Sequence, residues 1–491
     1  MSNGGSAVIA GLQDQSLVRS DAYLAGGWKS GASGERFDVR NPASGKLLAQ
    51  VAIISASEVG QAINDSATAQ IAWRELTAKD RAQYMQRWFQ AIVDNTEDLA
   101  LLMTAEQGKS LAESRAEIGY AASFIQWFAE EGKRAYGDVI PSVAADKRLI
   151  AIRQPVGVCA AITPWNFPAA MITRKAAPAL AAGCSIIIKP AEQTPLTALA
   201  MAALAERAGL PAGVFQVVTG KATEIGQVLT SSPVVRKLSF TGSTAVGRLL
   251  YQQCAPTIKR LSLELGGNAP FIVFDDADVD AAVQGAIASK YRNSGQTCVC
   301  ANRFLVQQGI YDEFVRKLIV AVQKLRVGNG ADPGTDQGPL IDQDAVIHVQ
   351  ALVDDAVNKG ATLECGGRPH ALGGTFYEPT ILANATPAMR VAAEEVFGPV
   401  APIFRFSTDA EAIAMANDTE YGLAAYLYTR DQSRAWRVGE ALEYGMVGLN
   451  TGLISNEVSP FGGIKQSGLG REGSRYGLDE YLEIKYLCMQ V

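Results

Sequence analysis

Histidine is scarce in this chain of 491 residues, which contains two, His348 and His370. Zinc sites built from several imidazoles are therefore nearly excluded, and we expect no metal. A histidine-based catalytic triad has only these two candidates, and neither stands near a nucleophile signature. Charged residues make up 19% of the chain, with a net charge of −6 and no block of five or six basic residues. This composition argues against nucleic acid or an anionic membrane as a partner.

Features of a secreted protein are missing too. The seven cysteines are an odd number spread over a long chain, unlike the framework of a disulfide-rich secreted domain. The first residues, MSNGGSAVIAGLQDQ, lack a basic segment before an apolar run, so we expect no export signal. The longest charge-free stretch, Gln154–Thr173, is interrupted by Pro155, Pro164 and Pro168 and cannot form a continuous lipid-facing helix. The expectation is a cytoplasmic protein.

The pattern of apolar residues predicts an α/β fold. After a loosely ordered tail at 1–19, the first third is predicted to be helical, as in Ala78–Asn95 and Ser114–Glu131, where apolar residues recur at helical spacing. From about residue 156, strand-like runs alternate with helices. The clearest runs are Ser185–Lys189, Val214–Val218, Arg236–Phe240, Arg260–Leu263 and Phe271–Phe274. Such alternation predicts a doubly wound parallel sheet. A second series after Cys300 predicts another α/β domain, and the alternating tail Tyr481–Leu487 predicts a strand.

Two strand ends carry residues suited to a dinucleotide, because ligands of open α/β sheets bind beyond the carboxyl ends of the strands. Lys189 and Glu192 follow one strand, and Gly242 and Ser243 follow another where a helix begins. A lysine and a carboxylate can bind ribose hydroxyls, and a helix N-terminus offers free N–H groups to a phosphate. Taken alone, each has a structural alternative: a solvated Lys and Glu in a turn, or a plain N-capped turn.

Three further positions suggest catalytic chemistry. Asn166 lies in the proline-rich loop Thr163–Pro168, where its amide could donate to an oxyanion or simply cap the turn. Cys298 follows Gly295–Thr297 and could be a nucleophile. Because histidine is scarce, its base would be a carboxylate, and Glu264, before paired glycines, is the candidate. Cys298 could equally be a buried structural cysteine, and Glu264 a surface glutamate.

Six motifs, in this order, resemble those of the aldehyde dehydrogenase superfamily from about residue 20 to the end: TPWNFP, KPAEQTP, FTGST, LELGGNAP, GQTC and EEVFGP. The chain is most similar to bacterial succinate-semialdehyde and glutarate-semialdehyde dehydrogenases. The resemblance implies a Rossmann-like NAD-binding domain at 20–133 and 156–266 and a catalytic domain at 267–460. A small β extension for oligomerisation would comprise 134–155 and 475–491, and a homodimer or homotetramer is expected.

The resemblance also implies roles for individual residues. Cys298 would form a thiohemiacetal with the aldehyde, Asn166 and the Cys298 N–H would hold its oxyanion, and Glu264 would activate the water that hydrolyses the thioester. The cofactor-binding residues would be Trp165, Lys189, Glu192, Gly242, Ser243, Glu395 and Phe397. NAD is expected to be preferred over NADP, because the Glu192 carboxylate would repel a 2′-phosphate. Some similar enzymes that prefer NADP have serine at this position.

Three positions imply a substrate that carries a carboxylate. Arg174, Arg292 and Ser455 match the carboxylate-binding positions of succinate-semialdehyde dehydrogenases, and guanidinium and hydroxyl groups suit a carboxylate. The expected reaction oxidises succinate semialdehyde to succinate, with water rather than coenzyme A as acyl acceptor because Glu264 is present. Glutarate semialdehyde stays open, since one methylene is worth only about 1–3 kcal/mol. An aldehyde dehydrogenase of broader range and a catalytically inactive structural relative also stay open.

Cys300 adds a redox hypothesis. It stands two positions after Cys298, and some similar enzymes with this C-x-C pattern are inactivated by a disulfide between the two cysteines. In an extended chain, the Cα atoms of residues two positions apart are separated by about the largest distance that a disulfide can span. The alternative is that Cys300 is simply packed in the interior. The other five cysteines are expected to pack in the interior.

Overall fold

Two α/β sheets, a small three-stranded extension and a two-stranded sheet make up the structure, a computed structural model that describes residue 9 and residues 11–491. The strands are β1 (Ala22–Leu24), β2 (Gly27–Lys29), β3 (Arg36–Arg40), β4 (Leu47–Ala52), β5 (Asp138–Ile140), β6 (Lys147–Pro155), β7 (Val158–Ile162), β8 (Ser185–Lys189), β9 (Phe215–Val217), β10 (Val235–Thr241), β11 (Arg260–Glu264), β12 (Ala269–Val273), β13 (Ala301–Gln307), β14 (Thr362–Cys365), β15 (Thr380–Ala383), β16 (Val400–Phe406), β17 (Ala424–Tyr428), β18 (Met446–Leu449), β19 (Gly468–Leu469) and β20 (Leu482–Gln490).

Helices cover the sheets. They are α1 (Ala56–Glu75), α2 (Ala78–Asp94), α3 (Thr96–Gln107), α4 (Leu111–Glu131), α5 (Ala170–Ala182), α6 (Pro195–Arg207), α7 (Ala222–Ser231), α8 (Thr244–Cys254), α9 (Val279–Lys290), α10 (Tyr311–Val322), α11 (Gln343–Asn358), α12 (Arg390–Ala393), α13 (Asp409–Asn417), α14 (Gln432–Ala441) and α15 (Ser474–Asp479). Within the described residues, no helix is long and apolar enough to cross a membrane. In the same part of the chain, no group of three or more His, Cys, Asp or Glu side chains is arranged to hold a metal ion.

The first sheet has the order β19-β11-β10-β7-β8-β9-β1-β2. Its central strands β11, β10, β7, β8 and β9 are parallel. Along β8, Ile186 and Ile188 join one apolar core, whereas Ile187 joins another on the opposite face. A parallel strand covered on both faces has a continuous apolar sequence, which is why this strand could be recognised from the sequence. The predicted doubly wound parallel sheet is confirmed.

The second sheet has the order β14-β15-β16-β13-β12-β17-β18 and is parallel apart from β14. Residues 265–268 are the whole connection between β11 of the first sheet and β12 of the second. So short a connection places the carboxyl edge of the first sheet next to the amino edge of the second sheet. The candidate site lies at this junction.

The C-terminal strand β20 pairs with β6 along its whole length, from Leu482 opposite Pro155 to Gln490 opposite Lys147, and β5 completes a three-stranded sheet. The tail was expected to form a strand against the segment near 134–155, and it does. Ile484 and Tyr486 on β20 are 68% and 57% exposed. The small sheet therefore presents apolar side chains to solvent.

Three expectations are corrected by the structure. The first third is not helical throughout, because β1 to β4 precede α1; β1 and β2 have three residues each, too few to show a period. Residues 11–19 are not loose, since Leu17 is buried and Asp98 accepts the N–H groups of Gln13 and Asp14 at 2.8 Å. The rest of the expected tail, 1–8 and 10, lies outside the described residues. Cys488 is exposed on β20 rather than packed in the interior.

A buried arginine ties the start of the second sheet to its neighbouring helices. Arg303 on β13 is 4% exposed and donates to the main-chain carbonyls of Asn268, Met415 and Ala416 and to the Tyr444 hydroxyl, at 2.7–3.3 Å. Asn268 and Ala416 are buried, and Met415 is partly buried. The Ala416 carbonyl also accepts from the Tyr444 hydroxyl, and the guanidinium supplies hydrogen bonds to all three carbonyls.

Replacing this arginine is expected to destabilise the protein. Arg303→Met should lower the free energy of unfolding by about 3 kcal/mol or more, because each buried carbonyl left unpaired costs roughly 1–3 kcal/mol. The matched control is Arg368→Met, which removes an exposed ion pair with Glu378 and should cost less than about 1 kcal/mol. Thermal and denaturant unfolding of both variants measures the difference, and equal losses would contradict the assigned role.

Candidate active site at the junction of the two sheets

The carboxyl edge of the first sheet brings together four predicted positions. β7 leads into the loop that contains Asn166, β8 ends at Lys189, Ser243 follows β10, and Glu264 ends β11. These strands are parallel neighbours. Their carboxyl ends therefore meet at one edge, and residues distant in sequence become adjacent there.

Cys298 reaches the same place from the second sheet. It stands just before β13, which is the parallel neighbour of β12. A Cβ atom built on Gly267 would lie 2.6 Å from the carbonyl oxygen of Cys298. The absence of a side chain at Gly267 therefore allows the backbone of the cysteine to approach the connection between the sheets.

A cavity of about 130 Å³ lies against the cysteine. Its walls include Cys298 and all three residues predicted to bind a carboxylate, Arg174, Arg292 and Ser455. Asn166 and Glu264 are not part of these walls. The structure therefore groups the predicted nucleophile with the predicted substrate contacts, while the oxyanion and base candidates lie beside this cavity.

Several hydrogen-bond donors around this cavity lack protein partners within the described residues: the Tyr120 hydroxyl, Nη2 of Arg174 and Nε of Arg292. Arg174 is not an exposed arginine, because it is 2% exposed. Its Nε lies 2.7 Å from a carboxylate oxygen of Glu472, and its guanidinium lies 3.7 Å from the centre of the Phe461 ring. The charge of Arg174 is thus partly compensated, whereas Arg292 has no ion-pair partner among the described residues.

The cysteine and the glutamate both lie in surroundings that disfavour charge. Burial raises the pKa of the Cys298 thiol to about 12; the charge of Arg174 opposes this shift, whereas Glu395 and Glu264 add to it. Burial also raises the pKa of Glu264 well above 4.5, with Glu472 adding to the shift. Glu264 is 3% exposed, and neither of its oxygens has a hydrogen-bond partner within the described chain. A surface glutamate is excluded, and a carboxylate with these properties suits a base.

Asn166 joins the two loops that meet at the junction. It is 3% exposed, and its Nδ2 donates to the carbonyl of Gln296 at 3.0 Å. Gln296 stands two positions before Cys298. An amide nitrogen carries two hydrogens, so one N–H remains for a further acceptor.

Two of the predicted cofactor residues form an ion pair at the edge of the first sheet. Nζ of Lys189 lies 2.9 Å from Glu192, whose other oxygen accepts the N–H of Ala222, the first residue of α7, at 2.8 Å. Ser243 is the exposed N-cap of α8 and accepts the N–H of Val246 at 3.4 Å. The plain N-capped turn is therefore present, and the free N–H groups of a helix start are available beside it.

Of the remaining predicted cofactor residues, Trp165 and Gly242 follow strands β7 and β10 of the first sheet, and Glu395 and Phe397 precede β16 of the second. Trp165 and Phe397 contact each other edge to face, with ring centres 5.6 Å apart. Glu395 accepts the N–H of Gly267 at 3.1 Å, and burial raises its pKa to about 7. A Cβ on Gly242 would lie 2.4 Å from the Phe240 ring, so a side chain here would require this buried ring to move. Carboxylates, a lysine and a helix start are the groups that bind ribose hydroxyls and phosphates, so this donor set fits a dinucleotide.

Cys300 and His348 have partners that the sequence did not indicate. The buried Cys300 thiol donates to the carbonyl of Gly295 at 3.2 Å and lies 3.9 Å from Nζ of Lys290. Both Cys298 and Cys300 are free thiols in the structure. Nε2 of His348 lies 3.2 Å from the carbonyl oxygen of Glu395, so one imidazole does lie next to a motif, although it contacts the backbone.

Sequence reasoning missed several residues of the site. The cavity is also lined by Lys109, just before α4, and by Glu113, Glu117 and Tyr120 in the first half of α4. They lie in a segment that has the pattern of an ordinary amphipathic helix, and no motif marks them. Only the Ser110–Glu113 capping pattern gives a signal, and it indicates a helix start rather than a site.

Comparison with known proteins agrees with this geometry. A model of the aldehyde dehydrogenase family matches residues 28–487. A glutarate-semialdehyde dehydrogenase from Pseudomonas aeruginosa and a succinate-semialdehyde dehydrogenase from Escherichia coli, named as NADP(+)-dependent, are each 62% identical over 97% of this chain and 99% of their own lengths. The crystal structure of a succinate-semialdehyde dehydrogenase from Burkholderia pseudomallei has a TM-score of 0.97 at 61% identity, covering 98% of this chain and 100% of that chain. The chain belongs to the aldehyde dehydrogenase family.

Proposed function

We propose that this protein oxidises succinate semialdehyde to succinate with NAD. The observation that carries the proposal is the cavity beside the Cys298 thiol, where Tyr120, Arg174 and Arg292 present donor groups without protein partners. Its volume of about 130 Å³ is close to that of a cavity of about 150 Å³ that holds benzene, so a substrate of few carbons is expected. Glutarate semialdehyde is the second candidate, because the relative of that name is as similar to this chain as the E. coli enzyme.

In the proposed reaction, the sulfur of Cys298 attacks the aldehyde carbon and forms a thiohemiacetal. The thiol proton passes to a base, for which Glu264 is suited because burial has raised its pKa. The oxygen that becomes negative is held by the free N–H of Asn166 and the main-chain N–H of Cys298. Meanwhile Arg292 and Tyr120 bind the distant carboxylate and orient the aldehyde.

The second half of the reaction releases the acid. The hydride acceptor would be the nicotinamide ring of a coenzyme held by residues that include Glu395 and Phe397, and loss of hydride from the thiohemiacetal would leave a thioester on Cys298. After Glu264 has released the thiol proton to solvent, it removes a proton from the water that attacks the thioester, and this second proton passes to the departing sulfur and restores the thiol. Aldehyde, NAD and water thus give the carboxylic acid, NADH and a proton.

The coenzyme is a nicotinamide dinucleotide, NAD or NADP. We propose NAD as the preferred form because the Glu192 carboxylate lies at the edge of the first sheet, paired with Lys189. The Glu192 carboxylate would accept the free hydroxyls of an adenosine ribose and repel a 2′-phosphate. Trp165, Gly242, Ser243, Glu395 and Phe397 are proposed to complete the cofactor site.

A homodimer or homotetramer is proposed as well. The exposed apolar side chains Ile484 and Tyr486 on β20 and Val139 on β5, the last 82% exposed, support an interface through the small sheet.

A cytoplasmic location is proposed because all seven cysteines are free thiols, as is usual in a reducing compartment. A reversible Cys298–Cys300 disulfide stays a prediction.

Substrate recognition by Arg292 can be tested with a series of aldehydes. Arg292→Met should lower kcat/KM for succinate and glutarate semialdehyde by about 10- to 100-fold, the worth of a hydrogen bond to a charged group. The kcat/KM for propanal, which lacks the carboxylate, should be unchanged. Coenzyme reduction followed by absorbance measures all three, and Cys298→Ser serves as the inactive control.

Two outcomes would contradict this assignment. If propanal matched the semialdehydes in the wild-type protein, or if Arg292→Met affected propanal equally, the arginine would not recognise a carboxylate. The proposed function itself would be wrong if the purified protein reduced neither NAD nor NADP with any of the three aldehydes.

Coenzyme preference can be tested at Glu192. Glu192→Ser should raise the ratio of kcat/KM with NADP to that with NAD by about tenfold or more, since removing a repulsion of about 1.4 kcal/mol has that effect. Glu224→Ser is the matched control, because Glu224 lies in the first turn of α7, next to the N–H that Glu192 accepts, and likewise pairs with a lysine three positions away, Lys221. If kcat/KM of the wild-type protein with NADP equalled or exceeded that with NAD, the role assigned to Glu192 would be wrong.

The raised pKa of Cys298 predicts how its reactivity depends on pH. With a thiol pKa of about 12, the thiolate fraction in the free enzyme should rise about tenfold per pH unit from pH 7 to 10. Inactivation by iodoacetamide should accelerate by the same factor, whereas alkylation of free N-acetylcysteine should level off above about pH 9. A plateau for the enzyme below pH 8 would mean that Cys298 is already a thiolate at neutral pH.

A further inference from the structure

We infer that Lys109 and Asn293 are positioning residues that act on the reaction through the main-chain carbonyl of Asn166. Nζ of Lys109 donates to this oxygen at 2.7 Å, and Nδ2 of Asn293 donates to it at 3.0 Å. Both lone pairs of the carbonyl oxygen are therefore used by buried side chains. The inference rests on the proposed function, in which the amide of Asn166 holds the oxyanion.

The side chain of Lys109 is itself held in place by several contacts. It is 2% exposed, its ammonium forms a buried ion pair with Glu117, and it lies 4.0 Å from the centre of the Phe167 ring. The other oxygen of Glu117 accepts the N–H groups of Ala169 and Ala170 at 2.9 and 3.3 Å. The ion pair thus holds the Asn166 loop at its carbonyl and again at the start of α5.

Asn293 joins the Asn166 loop to the loop that carries the nucleophile. Its Nδ2 also donates to the carbonyl of Gln296 at 3.3 Å, the oxygen that accepts from Nδ2 of Asn166 at 3.0 Å. Its Oδ1 accepts from Gln107 at 3.0 Å, and its main-chain N–H donates to Glu113 at 2.7 Å. Every polar group of this side chain therefore has a fixed partner.

The consequence is a closed set of hydrogen bonds that fixes where the free N–H of Asn166 points relative to Cys298. Preorganised donors lower the barrier only when they are held where charge develops, and a misplacement of about 1 Å can cost about 10²-fold in rate. Neither Lys109 nor Asn293 hydrogen-bonds Cys298 or the free N–H of Asn166 in the described structure. Both act through Asn166, and are positioning rather than catalytic residues.

A double-mutant cycle with Asn166 tests this inference. Asn293→Asp keeps the shape of the side chain but replaces its donor by an oxygen facing two carbonyl oxygens. We expect kcat for succinate semialdehyde to fall about 10- to 100-fold, with KM within about threefold of the wild-type value. In an Asn166→Ala background, where the oxyanion donor is already gone, the same change should lower kcat by less than about threefold.

Asn384→Asp is the matched control. Asn384 also has a left-handed backbone, with φ 53° against 50° for Asn293, but it is exposed and donates to Thr362 on β14. Its replacement should leave kcat and KM unchanged.

If Asn293→Asp does not fold, Lys109→Met combined with Glu117→Gln removes the other donor without leaving a charge buried. It should show the same kcat loss and the same dependence on Asn166.

The inference would be overturned if Asn293→Asp lowered kcat by the same factor in the Asn166→Ala background as in the wild-type protein. A variant whose KM rises while kcat is unchanged would overturn it as well. Neither result would contradict the proposed function. A wild-type protein that oxidised no aldehyde would overturn both. Both would be supported if Cys298→Ser abolished turnover and if Asn293→Asp no longer lowered kcat in the Asn166→Ala background.

Discussion

The left-handed turn at Asn293, Ser294 and Gly295 is the constraint on which the site depends. These consecutive residues have φ values of 50°, 56° and 75°, and they redirect the chain after α9 so that Cys298 arrives at the junction of the sheets. Such a conformation costs on the order of 1 kcal/mol for each residue other than glycine, so surrounding contacts must hold it. Gly295 is required for a second reason, because a Cβ there would lie 2.1 Å from the carbonyl oxygen of Gly398.

The contacts that hold the turn come from elements remote in sequence. Glu113 caps the start of α4 with one oxygen and accepts the N–H of Asn293 with the other. The hydroxyl of Ser294 donates to the carbonyl of Gly338 at 2.8 Å. The helical segment between β4 and β5 is therefore part of the site, since its helix α4 supplies one wall of the cavity and fixes the loop that carries Cys298.

Two buried glutamates at this junction have different protonation behaviour because their neighbours differ. Burial would raise the pKa of Glu472, but Lys175 and Arg174 outweigh it and lower that pKa. Glu264, also buried, has no hydrogen-bond donor among the described residues, and its pKa is raised. When two identical groups have different surroundings, their pKa values differ, so one can stay ionised while the other accepts a proton. Glu472 balances the buried cations, which leaves Glu264 free to accept a proton.

The sequence alone was sufficient for the parallel sheets, because the buried strands are continuous apolar runs such as Ser185–Lys189, and for the chemical groups at their ends. Through the resemblance of its motifs to the aldehyde dehydrogenase superfamily, it also predicted Cys298, Asn166 and Glu264 as nucleophile, oxyanion donor and base. Only the tertiary structure decided which charges are paired. Lys175 and Glu472, 297 positions apart, lie 2.6 Å from each other. Tyr120 on α4 and Lys109 just before it reach the site from a part of the chain that no motif marks. Burial and pairing depend on neighbours brought together by folding, so they cannot be read from local sequence.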